Sequence, residues 1–256
     1  MDERIRERRK DVRRWRGRRR MAVLVTIVGV AALVALFFFV RSADVFVVRR
    51  VLATPTPHVS AADIRSATAT AAGVNLLRLS TGELEKRLRA LPYVRSAHVY
   101  RRFPDAIEVS LAEYEPQAIV EVNGGGRWLV AGDGRVLASA GGDGGSLVVV
   151  SDGALERPRP GTSLPKTTLA ALALAGLLAD KKLWPADVAV ARVVLDGAGD
   201  LTLTLARGGE VRLGDGRQLQ EKLMAASVVI KQYLSQKKTI EYVDVQDPTR
   251  GVGLAK

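Results

Sequence analysis

The sequence has no cysteine and only two histidines among its 256 residues. Without cysteine it can form neither disulfides nor thiolate metal sites, so any exported domain must rest on its hydrophobic core. His58 lies beside prolines and His98 inside an extended run, neither with a patterned carboxylate nearby. That leaves a metal centre or a nucleophile–histidine triad without a basis, and His98 reads as a surface or sheet-edge residue. There is no GxxxxGK[ST]. The glycine runs Gly124–Gly126 and Gly141–Gly145 do not open a helix after a strand, so they are loops rather than phosphate cradles. Asp133, Asp143 and Asp152 each neighbour a glycine but lack the oxygen spacing of a calcium loop. Glu113 and Glu115 fall on one face of a strand with no acid/base partner in view, and no serine stands in a GxSxG context. No cofactor is implied, and surface binding is the function class that remains.

One long apolar run is present. Residues 21–40 carry no charge and are rich in Val, Leu, Ala and Phe. At ~1.5 Å per residue they match the ~30 Å bilayer core. The run exceeds a signal peptide's apolar region, and no clean A-x-A closes it. Ahead of it, residues 1–20 hold eleven Lys/Arg against four Asp/Glu, a net of +7. The positive-inside rule puts this tail in the cytoplasm and the rest of the chain outside, as a single-pass transmembrane protein. Of the formal charge of +12, only +5 is left for the other 236 residues. Most of the excess is therefore a topology signal, with possible contact to anionic lipid, and a nucleic-acid partner is not indicated.

Beyond the anchor the pattern is α+β. Val45–Leu52 is β-branched and reads as a strand. Ser60 and Asp63 mark a helix start, and Gly73 can close that helix. Ser80-Thr-Gly-Glu83 forms a capping box before Leu84, Leu88 and Leu91. Residues 93–102 and the alternation of Ile107, Val109 and Leu111 predict two strands, joined by a turn at Phe103-Pro104-Asp105. The order is β-α-α-β-β in about seventy residues.

After Pro116 a mixed sheet with two helices is expected. Strands are predicted at 117–122, 127–130, 135–138, 147–150, 188–195, 201–206 and 210–213. The helices cover about 166–182 and, capped by Asp215, a stretch reaching Gln236. The second helix carries Leu219, Leu223, Ala226, Ile230 and Tyr233 at 4-3-4-3 spacing. A last strand, Thr239 to Gln246, puts Ile240, Tyr242, Asp244 and Gln246 on one face and Glu241, Val243 and Val245 on the other. A terminal strand can lie at a sheet edge, open to a partner's strand, or can be an ordinary internal strand. The expected division is a tail (1–20), a span (21–40), a first domain (44–115), a β domain (116–247) and a C-terminal tail (248–256).

The run from Leu91 to Ala118 resembles the POTRA signature of the FtsQ/DivIB family of bacterial cell-division proteins. Leu91, Pro92, Val94, Ala97, Val99, Arg101 and Pro104 fill an L-P-x-V-x-x-A-x-V-x-R-x-x-P pattern, and Glu113, Pro116 and Ala118 an E-x-x-P-x-A pattern. Gly73-Val-Asn-Leu-Leu-Arg-Leu79 is similar to the family's link between the POTRA helices. Tyr242 to Leu254 is a looser likeness to its closing segment, with Leu254 where an aromatic residue is often seen.

The resemblance implies a non-enzymatic divisome scaffold. It would join FtsB/DivIC-like and FtsL-like single-pass partners, act with the septal peptidoglycan synthase complex and sit at the division septum. It further implies that a partner adds a strand to the β domain's last strand. The candidate contacts are then Ile240, Glu241, Tyr242, Val243, Asp244, Val245, Gln246 and Leu254. Arg101 and Pro104 are expected to fix the strand-to-strand turn, and Glu113 and Pro116 the junction between domains. Two alternatives remain open: a POTRA-type transport or assembly chaperone, and a membrane-tethered cell-envelope enzyme.

Overall fold

A computed structural model describes residues 21–35, 37–39, 44–54, 56–124, 126–141, 145, 147–180, 182–250 and 252–255. The basic tail of residues 1–20, Val40 at the end of the expected span, and residues 142–144 of the glycine loop lie outside the described residues. Helix α1, Met21–Phe39, has a mean hydropathy of 2.9 and exposed side chains throughout its apolar window. By length and composition it is long and apolar enough to cross a membrane.

The remaining residues divide into two compact units. The first contains the chain up to Thr54 together with Ile64–Glu85 and His98–Ser110; the second contains Pro55–Asp63, Lys86–Ala97 and Leu111–Lys256. The elements leading from β1 to β3 are β1 (Arg50–Ala53), α2 (Ala61–Ala67), α3 (Thr81–Arg89), β2 (Val94–Arg102) and β3 (Ala106–Glu113). They give the expected β-α-α-β-β order, with the strands in a three-stranded sheet ordered β1-β3-β2 and β1 parallel to β3. Ser60 and Asp63 form a reciprocal cap at the start of α2. The Asp63 N–H donates to Ser60 Oγ at 3.1 Å and the Ser60 N–H to Asp63 Oδ2 at 3.2 Å.

The first strand is shorter than its β-branched sequence suggests. Asp44–Phe46 is a 3-10 turn. Val48 N–H donates to Val74 O at 3.0 Å and Leu76 N–H to Phe46 O at 2.8 Å. Backbone groups of Phe46 and Val48 are thus satisfied by the loop after α2, Arg49 N–H donates to Asp105 O at 2.8 Å, and the strand ladder begins only at Arg50. Val48, Ile64, Leu76, Leu84, Ile107 and Val109 are buried in the first unit.

The second unit holds a mixed sheet in which nine strands are described, ordered β12-β11-β10-β9-β8-β7-β4-β5-β6. These are β4 (Pro116–Val122), β5 (Gly126–Ala131), β6 (Val136–Ser139), β7 (Val148–Asp152), β8 (Val190–Leu195), β9 (Leu201–Leu205), β10 (Glu210–Gly214), β11 (Ile240–Asp244) and β12 (Val252–Ala255). Helix α4 (Lys166–Leu178) packs on β4, β7 and β8, and α5 (Leu219–Ser235) on β10, β11 and β12. One apolar core joins strand residues Val120, Val150, Val193, Leu203, Val211 and Val243 to helix residues Leu172, Leu174, Leu223 and Ile230. Each such side chain contributes about 1.5–3 kcal/mol by leaving water.

A buried polar link fixes α4 to β7: Thr168 Oγ1 donates to Asp152 Oδ2 at 2.8 Å, both residues being buried. Asp215 does not cap α5. The helix starts at Leu219 after a left-handed Gln218. Asp215 instead accepts from the buried Lys222 Nζ at 2.9 Å and from Arg217, and these cations hold its carboxyl far below the usual range.

Candidate functional site

The outer end of the nine-stranded sheet is the site the sequence singled out, and the structure reorders it. β11 is not the edge. Its parallel neighbour is β10, with Val211 opposite Val243, and its antiparallel neighbour is β12, with Tyr242 opposite Leu254. Residues 248–256, expected as a tail, thus contain the outermost described strand. The segment around Gly251-Val-Gly-Leu is short and glycine-rich, so its own side chains give a strand little support. It is held by its neighbours: Tyr233 of α5 donates its hydroxyl to Gly253 O at 2.8 Å. A Cβ at position 253 would lie 2.9 Å from the Tyr233 ring, so glycine allows this approach.

Burial divides the candidate contact residues. Ile240, Val243 and Val245 are buried in the core. A charge at any of them would be an unpaired buried group and would disturb folding rather than probe docking alone. Strict alternation places Ile240 with Tyr242, but a register shift between the two turns Ile240 inward with Val243. A one-residue bulge of this kind moves a side chain to the opposite face. Glu241 and Gln246 are exposed, and Tyr242 and Asp244 half-buried. Leu254 is 49% exposed. Across these strands Glu210, Tyr242 and Leu254 share one rung, and the Arg212 guanidinium lies over the Tyr242 ring at 5.1 Å. The edge therefore presents an apolar and aromatic pair beside paired charges.

The motif residues have distinct places. Arg101 does not serve the β2–β3 turn. Its Nε donates to Leu76 O at 2.8 Å and Nη2 to Leu79 O at 2.7 Å, fastening the loop that precedes α3. The turn at 103–105 contains Pro104, and Asp105 pairs there with Arg50 at 2.6 Å. Pro92 follows α3 and offers its carbonyl to Arg135 Nε at 2.9 Å; Arg135 Nη2 also reaches Arg89 O and Leu91 O, each at 3.0 Å. One guanidinium thus gathers three carbonyls at and just beyond a helix C-terminus, of which Leu91 O also accepts the Val94 N–H at 3.2 Å. Pro116 opens β4 opposite Ala131.

Glu113 has the partner that sequence reading missed. Its Oε2 lies 2.9 Å from His58 Nδ1, and its Oε1 accepts the His58 N–H at 3.1 Å. The His58 ring stacks on Tyr93 with centroids 4.4 Å apart. Burial pushes the Glu113 carboxyl up, but hydrogen bonds from Thr56 and His58 outweigh it and hold the group below its ordinary value. The pair is 55 residues apart in sequence, beyond the reach of any local pattern. Among the described residues no three His, Asp or Glu side chains gather as metal ligands.

Residues 48–114 match the POTRA domain of FtsQ type, and residues 118–246 match the C-terminal domain of cell division protein FtsQ/DivIB. The chain belongs to the FtsQ/DivIB family. It is 38% identical over 153 residues to a cell division protein FtsQ from Anaeromyxobacter sp. (strain K), covering 59% of this chain and 51% of that protein. A Mycolicibacterium smegmatis FtsQ is 26% identical over 213 residues, 82% of this chain and 59% of the relative. An Aliivibrio fischeri FtsQ is 25% identical over 194 residues, 75% of this chain and 69% of the relative. The matched region thus spans half to two-thirds of the length of these relatives. Each of these relatives is named a cell division protein.

Proposed function

We propose that this protein is a membrane-tethered divisome scaffold that captures another single-pass division protein by strand addition at β12. Helix α1 is the tether: 19 uncharged, mostly apolar residues behind a tail of net +7 favour a cytoplasmic N-terminus and an extracytoplasmic remainder. In this reading residues 44–115 form the POTRA domain and the β domain begins at 116. The observation that carries the proposal is the sheet order, which leaves β12 with a described neighbour on one side only. An edge strand can pair its free N–H and C=O groups with an incoming chain.

The occupant is an FtsB/DivIC-like partner, with an FtsL-like protein and the septal peptidoglycan synthase complex assembled around it. Leu254, Tyr242, Glu241, Asp244 and Gln246 are the side chains placed to read that partner. Ile240, Val243 and Val245 support the strand from the core.

A fluorescent fusion of the full chain tests the scaffold role: midcell enrichment in dividing cells is expected, and a uniform peripheral signal overturns it. Leu254→Pro tests the edge, because proline cannot donate to a shared ladder. Capture of the FtsB/DivIC-like partner should fall sharply, and unchanged capture refutes strand addition at β12.

A further inference from the structure

A second feature lies at the end of the sheet where β11 begins. A cavity of about 350 Å³ is lined by Val188, Leu205, Leu234 and Ile240, with Arg207, Lys237 and Lys238 on its rim and Asp187 the sole carboxylate in its wall. Among the described residues none of these three cations has an ion-pair partner. The site is an apolar floor under an excess of positive charge.

The backbone around it is tightly set. Gly209, with φ +87, closes the β9–β10 turn so near to Ile240 O that a Cβ would stand 2.4 Å from it. The far wall is the end of α5. Lys238 N–H donates to Tyr233 O and Lys237 N–H to Leu234 O, each at 3.0 Å, with Lys237 at φ 58. This is a helix-ending motif in which glycine is favoured at the left-handed position. Lys237 occupies that position, and its side chain lines the cavity.

We infer that this cavity receives an acidic, apolar extension of the strand that adds to β12, an inference that rests on the strand-addition reading. Ile240 stands opposite Ala255 in the β11–β12 ladder, so the cavity and the outer end of β12 lie at the same end of the sheet. An added strand would lie four strand spacings, about 19 Å, from Leu205 on β9, a gap that about six residues at ~3.3 Å each can cross. The chemistry that fits is a leucine-sized side chain against Val188 and Leu205, flanked by carboxylates toward Arg207, Lys237 and Lys238.

The test uses the full chain in detergent and a fluorescein-labelled peptide of leucines flanked by glutamates, followed by polarisation. Saturable binding is expected, weakened by salt, roughly tenfold weaker with Lys237→Gly, and lost with Ala189→Trp, which puts an indole into the cavity that Ala189 helps to line. Lys237→Gly should leave the melting temperature unchanged or raise it, because glycine suits that backbone. This separates lost binding from lost folding. Equal binding of a lysine-flanked counterpart, or no effect of Lys237→Gly and Ala189→Trp, overturns the inference. Full capture of the FtsB/DivIC-like partner by Lys237→Gly overturns it as well, even where Leu254→Pro abolishes capture. Intact capture by Leu254→Pro instead brings down the strand-addition reading itself.

Discussion

Tyr233 on α5 donates its hydroxyl to the carbonyl of Gly253 at 2.8 Å, across twenty residues of sequence. The contact joins the longest helix of the second unit to its outermost described strand. It also explains how a glycine-rich segment becomes a strand at all. Such a strand gains little from its own side chains, so its stability comes from the β11 ladder and this one anchor.

Removing the anchor should loosen β12 selectively. Tyr233→Phe keeps the ring and deletes a hydrogen bond of ~1 kcal/mol, which corresponds to a roughly fivefold larger opening equilibrium constant. Amide exchange at residues 252–255 should rise by about that factor while the β8–β9 amides stay unchanged. Gly253→Ala should act in the same direction by crowding the ring. Equal protection in wild type and variant would show that the ladder alone holds the strand.

Arg135 offers a second test. Its guanidinium donates to the carbonyls of Arg89, Leu91 and Pro92 within the second unit, and stacks over Tyr114 at 5.7 Å. Arg135→Ala removes these three hydrogen bonds, Leu91 O alone keeping the Val94 N–H at 3.2 Å, and should lower stability by about 1–3 kcal/mol in urea unfolding. Arg135→Lys keeps the charge but not the fork and should fall between the two. A loss below ~0.5 kcal/mol, the range of an ordinary surface change, would remove the proposed capping role.

The Glu113–His58 pair gives a pH dependence of defined sign. Glu113 titrates below its ordinary value of 4.5 in the folded protein. Its contribution is complete above that value and disappears as pH falls through the lower folded one. Between pH 7 and pH 3 the wild type should therefore lose more melting temperature than Glu113→Gln. Parallel acid profiles for the two proteins would mean that the carboxylate adds no pH-dependent stability.

Much of the architecture was legible because local rules and tertiary demands agree. Ser60 and Asp63 cap α2 as their spacing predicts, Leu219, Leu223, Ala226 and Ile230 bury one helix face, and Ile107 and Val109 point into the core. The misreadings occur where a distant partner decides. Residues Val45–Arg49 look like a strand, yet the backbone of Phe46 and Val48 pairs with the loop after α2. Arg101 lies near a turn in sequence but reaches back to Leu76 and Leu79. Asp215 has the composition of a cap but answers the buried ammonium of Lys222.

By itself the sequence determined the apolar α1 segment, the asymmetry of charge before it, the β-α-α-β-β order and the family motif from Leu91 to Ala118. Those are properties of composition, period and local spacing, which act within a turn or a strand. Only the tertiary structure decided which strand is outermost, that Ile240 faces inward, that Glu113 meets His58, and that three cations rim a cavity beside β11. These depend on register and on contacts between residues far apart in the chain, where a one-residue shift reverses a face.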